Sequence, residues 1–160
     1  MRLLKLAFLS FIIFFLLITA MSLLIPSHIR ISKAINIGSS SDSIFYLITN
    51  QEQWHRWHPA FQLQKKDSLL KQHKIVIKPV RITDSLVTVN WQQGNKVPVL
   101  NSWQVHRFTA ADSVTLQWYM DFNLKWYPWQ KFSSLFYETT YGQMMERGLL
   151  QLRTIVQAKE

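Results

Sequence analysis

Residues 114–126 read VTLQWYMDFNLKW, and they alternate without a break. Val114, Leu116, Trp118, Met120, Phe122, Leu124 and Trp126 face one way, while Thr115, Gln117, Tyr119, Asp121, Asn123 and Lys125 face the other. A period of two over this length is a long β-strand with one apolar and one wet face. Pro128 follows, and the period then changes. From about residue 129 to residue 157, Phe132, Leu135, Phe136, Tyr141, Met144, Met145, Leu149, Leu152, Ile155 and Val156 recur at spacings of three and four. That pattern predicts one long terminal helix with a broad apolar face. Gly142 and Gly148 cost it some propensity and allow close backbone approach. A strand loaded with large residues on one side needs cover, and this helix can supply it.

Upstream of that pair the chain reads as more strands on short turns. Residues 74–83 form one strand, in which Pro79 signals an edge or a bulge. Val87, Val89 and Trp91 mark a second, closed by Gln93-Gly94-Asn95. Val97, Val99, Trp103 and Val105 mark a third, joined to the long strand by Ala110-Ala111-Asp112. Connections this short give an antiparallel meander. Ile29, Ile31, Ile35 and Ile37 alternate as a first strand, followed by a turn rich in candidate caps at residues 38–42. Ile44, Phe45, Leu47 and Ile48 make a short helix ended by Asn50. A second short piece carries Trp54 and Trp57 and stops at Pro59. Residues 61–73 read as an irregular strand region.

The first 27 residues are a separate unit. Residues 6–25, LAFLSFIIFFLLITAMSLLI, hold no charge and, as a helix, reach about 30 Å, the thickness of a bilayer core. The apolar run continues past Ala20 without an Ala-x-Ala site, which favours an uncleaved signal anchor over a cleaved signal peptide. Arg2 and Lys5 favour an N-terminus inside and a domain outside the cytoplasm (periplasmic in a bacterium), whereas Arg30 and Lys33 pull the other way. Residues 28–160 are then the folded domain of a single-pass membrane protein.

Composition narrows the chemistry. Hydrophobic residues make 48% of the chain and charged ones 17%, which excludes a disordered protein. The absence of cysteine excludes disulfides, thiol nucleophiles and Cys-ligated metals. The net charge of +9 suits an anionic surface. Lys65, Lys66, Lys71, Lys74, Lys78 and Arg81 cluster without interleaved aromatics, so headgroups fit them better than nucleic acid, and a solvated face is the plainer reading.

The order strand, two short helices, curved antiparallel sheet and long terminal helix is similar to one known group. Residues 31–61, ISKAINIGSSSDSIFYLITNQEQWHRWHPAF, resemble the opening of START-like (SRPBCC, polyketide cyclase/dehydrase-type) domains, with Trp54, Trp57 and Pro59 in the places of a W-x-x-W-x-P-type segment. Residues 126–153 resemble their strand exit and terminal helix. The resemblance implies an α+β helix-grip (START/Bet v 1-like) fold, in which the sheet wraps the long helix around an apolar cavity, here preceded by one transmembrane helix. It implies binding of lipids, sterols or polyketides, with catalysis in a minority.

Within that frame the inner-facing candidates are Trp91, Trp103, Trp118, Met120, Phe122, Phe136, Tyr137 and Met144. They make either a cavity wall or an ordinary core. His55 and His58 sit as H-x-x-H, with Glu52 near; a capping loop with solvated histidines is the plainer reading, and no metal or cofactor is expected. Asp121, Glu138 and Glu146 are the nearest acids, and nothing in their spacing demands a shared buried site. Tyr137 and Tyr141 could donate to a ligand carbonyl. No catalytic residue is assigned. The expected partner is an apolar small molecule or lipid beside the membrane. A cyclase-, dehydrase- or hydrolase-type enzyme and an interaction module with a vestigial cavity remain the alternatives, and oligomeric state is open.

Overall fold

The computed structural model describes residues 2–38, 41–66, 75–94, 97–107 and 114–158. Five strands form one antiparallel sheet in the order β1-β5-β4-β3-β2. They are β1 (His28–Ile37), β2 (Ile75–Ile82), β3 (Leu86–Gln93), β4 (Val99–Arg107) and β5 (Val114–Asn123). The meander of the last four is the expected one, and β1 closes it by pairing with β5 from His28↔Asn123 to Ile37↔Val114. Strand β2 is one edge and β1 the other; the register of β2 shifts between Pro79 and Arg81, where proline removes a donor. Gly94 takes φ 55° after β3, a left-handed turn that glycine adopts without a Cβ clash. The connection through Ala110-Ala111-Asp112 lies outside the described residues, as do Lys71 and Lys74.

Helix α1 (Arg2–Leu23) leads directly into β1. Helix α2 (Ser41–Thr49), a 3₁₀ turn (Gln51–Gln53) and α3 (Trp54–Trp57) follow β1. The Trp54 indole donates to the Ile48 carbonyl at 2.8 Å and the Trp57 indole to the Leu47 carbonyl at 3.1 Å. Two carbonyls near the end of α2 are thus satisfied by rings that also fill the core. Residues 61–66 are not an irregular strand; they belong to α4 (Pro59–Lys66), because Pro59 opens a helix at its first position rather than only ending one.

Two further expectations change at the C-terminal end. Strand β5 stops at Asn123, and Trp126 is 63% exposed rather than on the inner face. The Leu124 amide instead bonds the Ser27 carbonyl at 2.7 Å, which turns the chain toward α1 before Pro128. The terminal helix is also not continuous. It comprises α5 (Pro128–Ser134), a π-helical turn (Glu138–Gly142) and α6 (Gln143–Gln157). The two helices bury different faces against different partners, α5 on α1 and α6 on the sheet and the short helices. One straight helix could not do both. Glu138 and Glu146 are exposed, and both pair with Lys33, at 2.8 and 2.9 Å. Lys33 lies on the inward side of β1 and reaches them beside Gly142, where a Cβ would come within 3.0 Å of its Cε. These two hydrogen bonds push the Lys33 pKa up.

The core is dense. Trp54, Trp57, Trp103 and Trp118 are fully buried with Ile44, Leu47, Leu116 and Met145. Helix α6 approaches Trp118 closely at Gly148, where a Cβ would stand 2.9 Å from the indole Cζ3 and 3.1 Å from Pro59 Cδ. Trp118 is itself wedged against Trp57 and Trp103. It cannot retreat, so Gly148→Ala is expected to overpack the site. Overpacking costs about 1–3 kcal/mol, against about 1 kcal/mol gained in helix propensity. Chemical denaturation should show a net loss for Gly148→Ala and a smaller change for Gly142→Ala, whose near atoms are movable side-chain ends.

Candidate functional site

An open cleft of about 310 Å³ lies between the start of β4, the end of β5 and the π-helical turn. Val97, Val99, Phe122 and Leu124 give it apolar walls; Lys125, Gln130, Tyr137 and Tyr141 bring polar groups. A narrower space of about 80 Å³ shares Val97, Val99 and Tyr141 with it and continues toward Trp91 and Met120. The combined space sits at the low end of small-molecule pockets, about 300–1,000 Å³.

Its position follows from register. Phe122 and Asn123 end β5 opposite Ile29 and His28, the first residues after α1. The cleft therefore adjoins the point where α1 meets the domain. Phe122 packs against both Tyr137 and Tyr141, with ring centroids 4.8 Å apart in each case. Burial pushes the Tyr141 hydroxyl pKa up, with Tyr137 adding to it, so Tyr141 stays protonated and can donate.

The eight residues expected on the inner face separate into four groups. Phe122 and Tyr137 line the main cleft; Trp91 and Met120 line its narrow extension. Trp103 and Trp118 are fully buried core, and half-buried Met144 packs beside that core. Phe136 is a correction: it is 69% exposed, because the chain between α5 and the π-helical turn carries it outward. Val97, Val99 and Leu124 are legible as strand positions but not as cleft walls, since alternation does not say which strand ends converge, and Gln130 of α5 carries no apolar signal.

The histidines also part company. His55 is exposed, its ring facing the Glu52 carbonyl. His58 is fully buried, not solvated, among Trp54, Phe61, Trp91 and Trp118, with centroid distances from 4.9 to 5.7 Å. The two rings do not converge on one point. Among the described residues no group of three or more His, Asp or Glu could hold a metal. Neither His58 nitrogen reaches another residue, and burial pushes its pKa down to about 3, opposed by its own backbone. Asn101 Nδ2 and Trp103 Nε1 are likewise buried without partners. None of these groups lines the cleft. Asp121, on the outer face of β5, is held by Arg30 in a two-bond fork at 2.7 and 2.9 Å, a structural role.

No family model matches this chain, and no curated protein does. Solved structures do. A START superfamily protein from Mycobacterium smegmatis is similar over 82% of this chain and 99% of its own, at TM-score 0.56 and 13% identity. The domain has the START-like, helix-grip fold. One further similar structure is the di-domain ARO/CYC StfQ from the steffimycin biosynthetic pathway, at TM-score 0.59 and 6% identity over 82% of this chain and 51% of that one. Another is CalU16 from Micromonospora echinospora, at TM-score 0.55 and 14% identity over 79% and 65%. At these identities the likeness is one of fold. Within this fold the inner face of the sheet is packed with tryptophan, and open space lies at one end.

Proposed function

We propose that residues 28–160 form a START-like domain, tethered by residues 1–27 to a membrane, that binds or shuttles a hydrophobic small molecule or lipid in the cleft at its anchor end. The cleft is the observation that carries this reading: apolar walls from Phe122, Leu124, Val97 and Val99, with Lys125, Tyr137 and Tyr141 available to a polar head. That pairing suits an amphiphile with a hydrogen-bond-accepting group. Helix α1 supports the tether, because residues 3–23 are long and apolar enough to cross a bilayer. With Arg2 and Lys5 inside, the domain is extracytoplasmic.

Binding is favoured over catalysis by the lining itself. Its titratable groups are Lys125, Tyr137 and Tyr141, and no carboxylate or imidazole joins them among the described residues. The buried polar atoms of His58 and Asn101 are sealed behind tryptophan rings, away from any ligand in the cleft.

A fatty acid bearing a diazirine, photolysed with the full chain in proteoliposomes, tests this. Adducts are expected at residues 97–99, 122–125 and 137–141, and Val99→Trp should abolish them by filling the cleft. Adducts confined to α1 would sink the proposal.

A further inference from the structure

Four large apolar side chains are exposed in and around α5. Trp126 and Trp129 are each 63% exposed, and Leu135 and Phe136 are at least about as open. Tyr127 stacks on Trp129 at 4.8 Å and touches Trp126, so these three rings form one contiguous set, and Leu135 and Phe136 are exposed just after the same short helix. Scattered exposed apolar residues need no explanation, but a contiguous set does.

The same segment is locked to α1. The buried Lys131 ammonium donates to the Ile25 carbonyl and to Ser27 Oγ, both at 2.7 Å. Helix α5 packs on α1, where Ser22 is fully buried and Ile18 and Thr19 are half-buried, as is Ile25 just beyond its end, while most of α1 is bare. The half-buried positions begin at Ile18. From there to Leu23 is about 8 Å of helix at 1.5 Å per residue. Helix α5 thus lies beside the last turns of the apolar span, not beyond them. Aromatic rings at that level match the belt of tryptophan and tyrosine that membrane proteins place at the headgroup boundary.

We infer that the segment 126–136 is an interfacial platform that inserts Trp126, Trp129, Leu135 and Phe136 into the headgroup layer of the membrane spanned by α1. This rests on the membrane reading of α1. It extends that reading, because the segment locked to α1 would itself contact the bilayer and fix the orientation of the domain on its surface. Gln130 of α5, Lys125 and Tyr137 line the cleft, so the platform holds the cleft mouth at the lipid surface. An amphiphile then enters from the bilayer without crossing water.

The chain has no cysteine, so one introduced cysteine gives a unique label. Spin labels at Trp129→Cys, Phe136→Cys, Phe14→Cys in α1 and Thr83→Cys at the far end of the sheet would be compared in proteoliposomes of mixed phosphatidylcholine and phosphatidylglycerol. Collision with oxygen, which dissolves in lipid, is measured against collision with a water-soluble nickel chelate. The oxygen-to-nickel ratio is expected several-fold higher at 129 and 136 than at 83, and highest at 14. A lipid-like ratio at 14 with water-like ratios at 129 and 136 would overturn the platform and leave the anchor standing. A water-like ratio at 14 would overturn both.

Discussion

His58→Phe is expected to spare this domain about 2 kcal/mol of the stability it loses between pH 7.5 and pH 5. His58 is neutral in the folded protein because burial among aromatic rings pushes its pKa down to about 3 from 6.5. The unfolded chain binds a proton below pH 6.5 that the folded chain refuses until pH 3. Between those values the unfolded state holds more protons, so stability falls as pH falls; above pH 6.5 the group costs nothing. The full effect is about 5 kcal/mol at 1.36 kcal/mol per pKa unit, of which about 2 kcal/mol is lost by pH 5. Phenylalanine has a similar shape, and its introduction orphans no partner, since neither imidazole nitrogen has one. The exchange should therefore be near neutral at pH 7.5 and stabilising at pH 5. Denaturant midpoints of both proteins at the two pH values, read by near-ultraviolet circular dichroism on the full chain in nanodiscs, check this. Equal losses on acidification in the two proteins would show that His58 is not the titrating group.

Trp118→Ala is expected to cost about 3–5 kcal/mol, the range for truncating a buried aromatic. The ring is fully buried against Trp57, Trp103 and His58. Its indole N–H donates to Asn101 Oδ1 at 3.3 Å. Removal leaves a cavity and strips a buried amide, whose Nδ2 is already unpartnered, of the bond to its oxygen. Trp129→Ala, at an exposed position, should stay within about 0.5 kcal/mol. Similar denaturation midpoints for the two variants would mean that Trp118 lines open space rather than filling the core.

That contrast also marks where the sequence could be read and where it could not. The alternation of residues 114–123 gives the strand and its buried face, because period two depends only on the pleat. It does not tell depth along the strand. Trp118 and Phe122 share a face, yet one is sealed in the core and the other walls the cleft. The tryptophans around Pro59 point to the short helices, but not to the burial of His58, which follows from rings contributed by three other elements. Phe136 fits a helical stripe on paper. The stripe fails because α5 answers to α1 and α6 to the sheet, and a π-helical turn absorbs the change in face. The cleft was half legible: Phe122, Leu124 and Val97 belong to alternating segments, but that they meet Tyr137 and Gln130 at one end follows only from tertiary register.

Native mass spectrometry of the full chain, released from a mild detergent and followed by extraction and identification of any adduct, tests the central claim most directly. The account predicts one apolar or amphiphilic molecule per chain, lost in Val99→Trp while the fold is kept. A wild-type chain that carries nothing and takes up no lipid from vesicles, or a Val99→Trp chain that retains the same adduct, would contradict it.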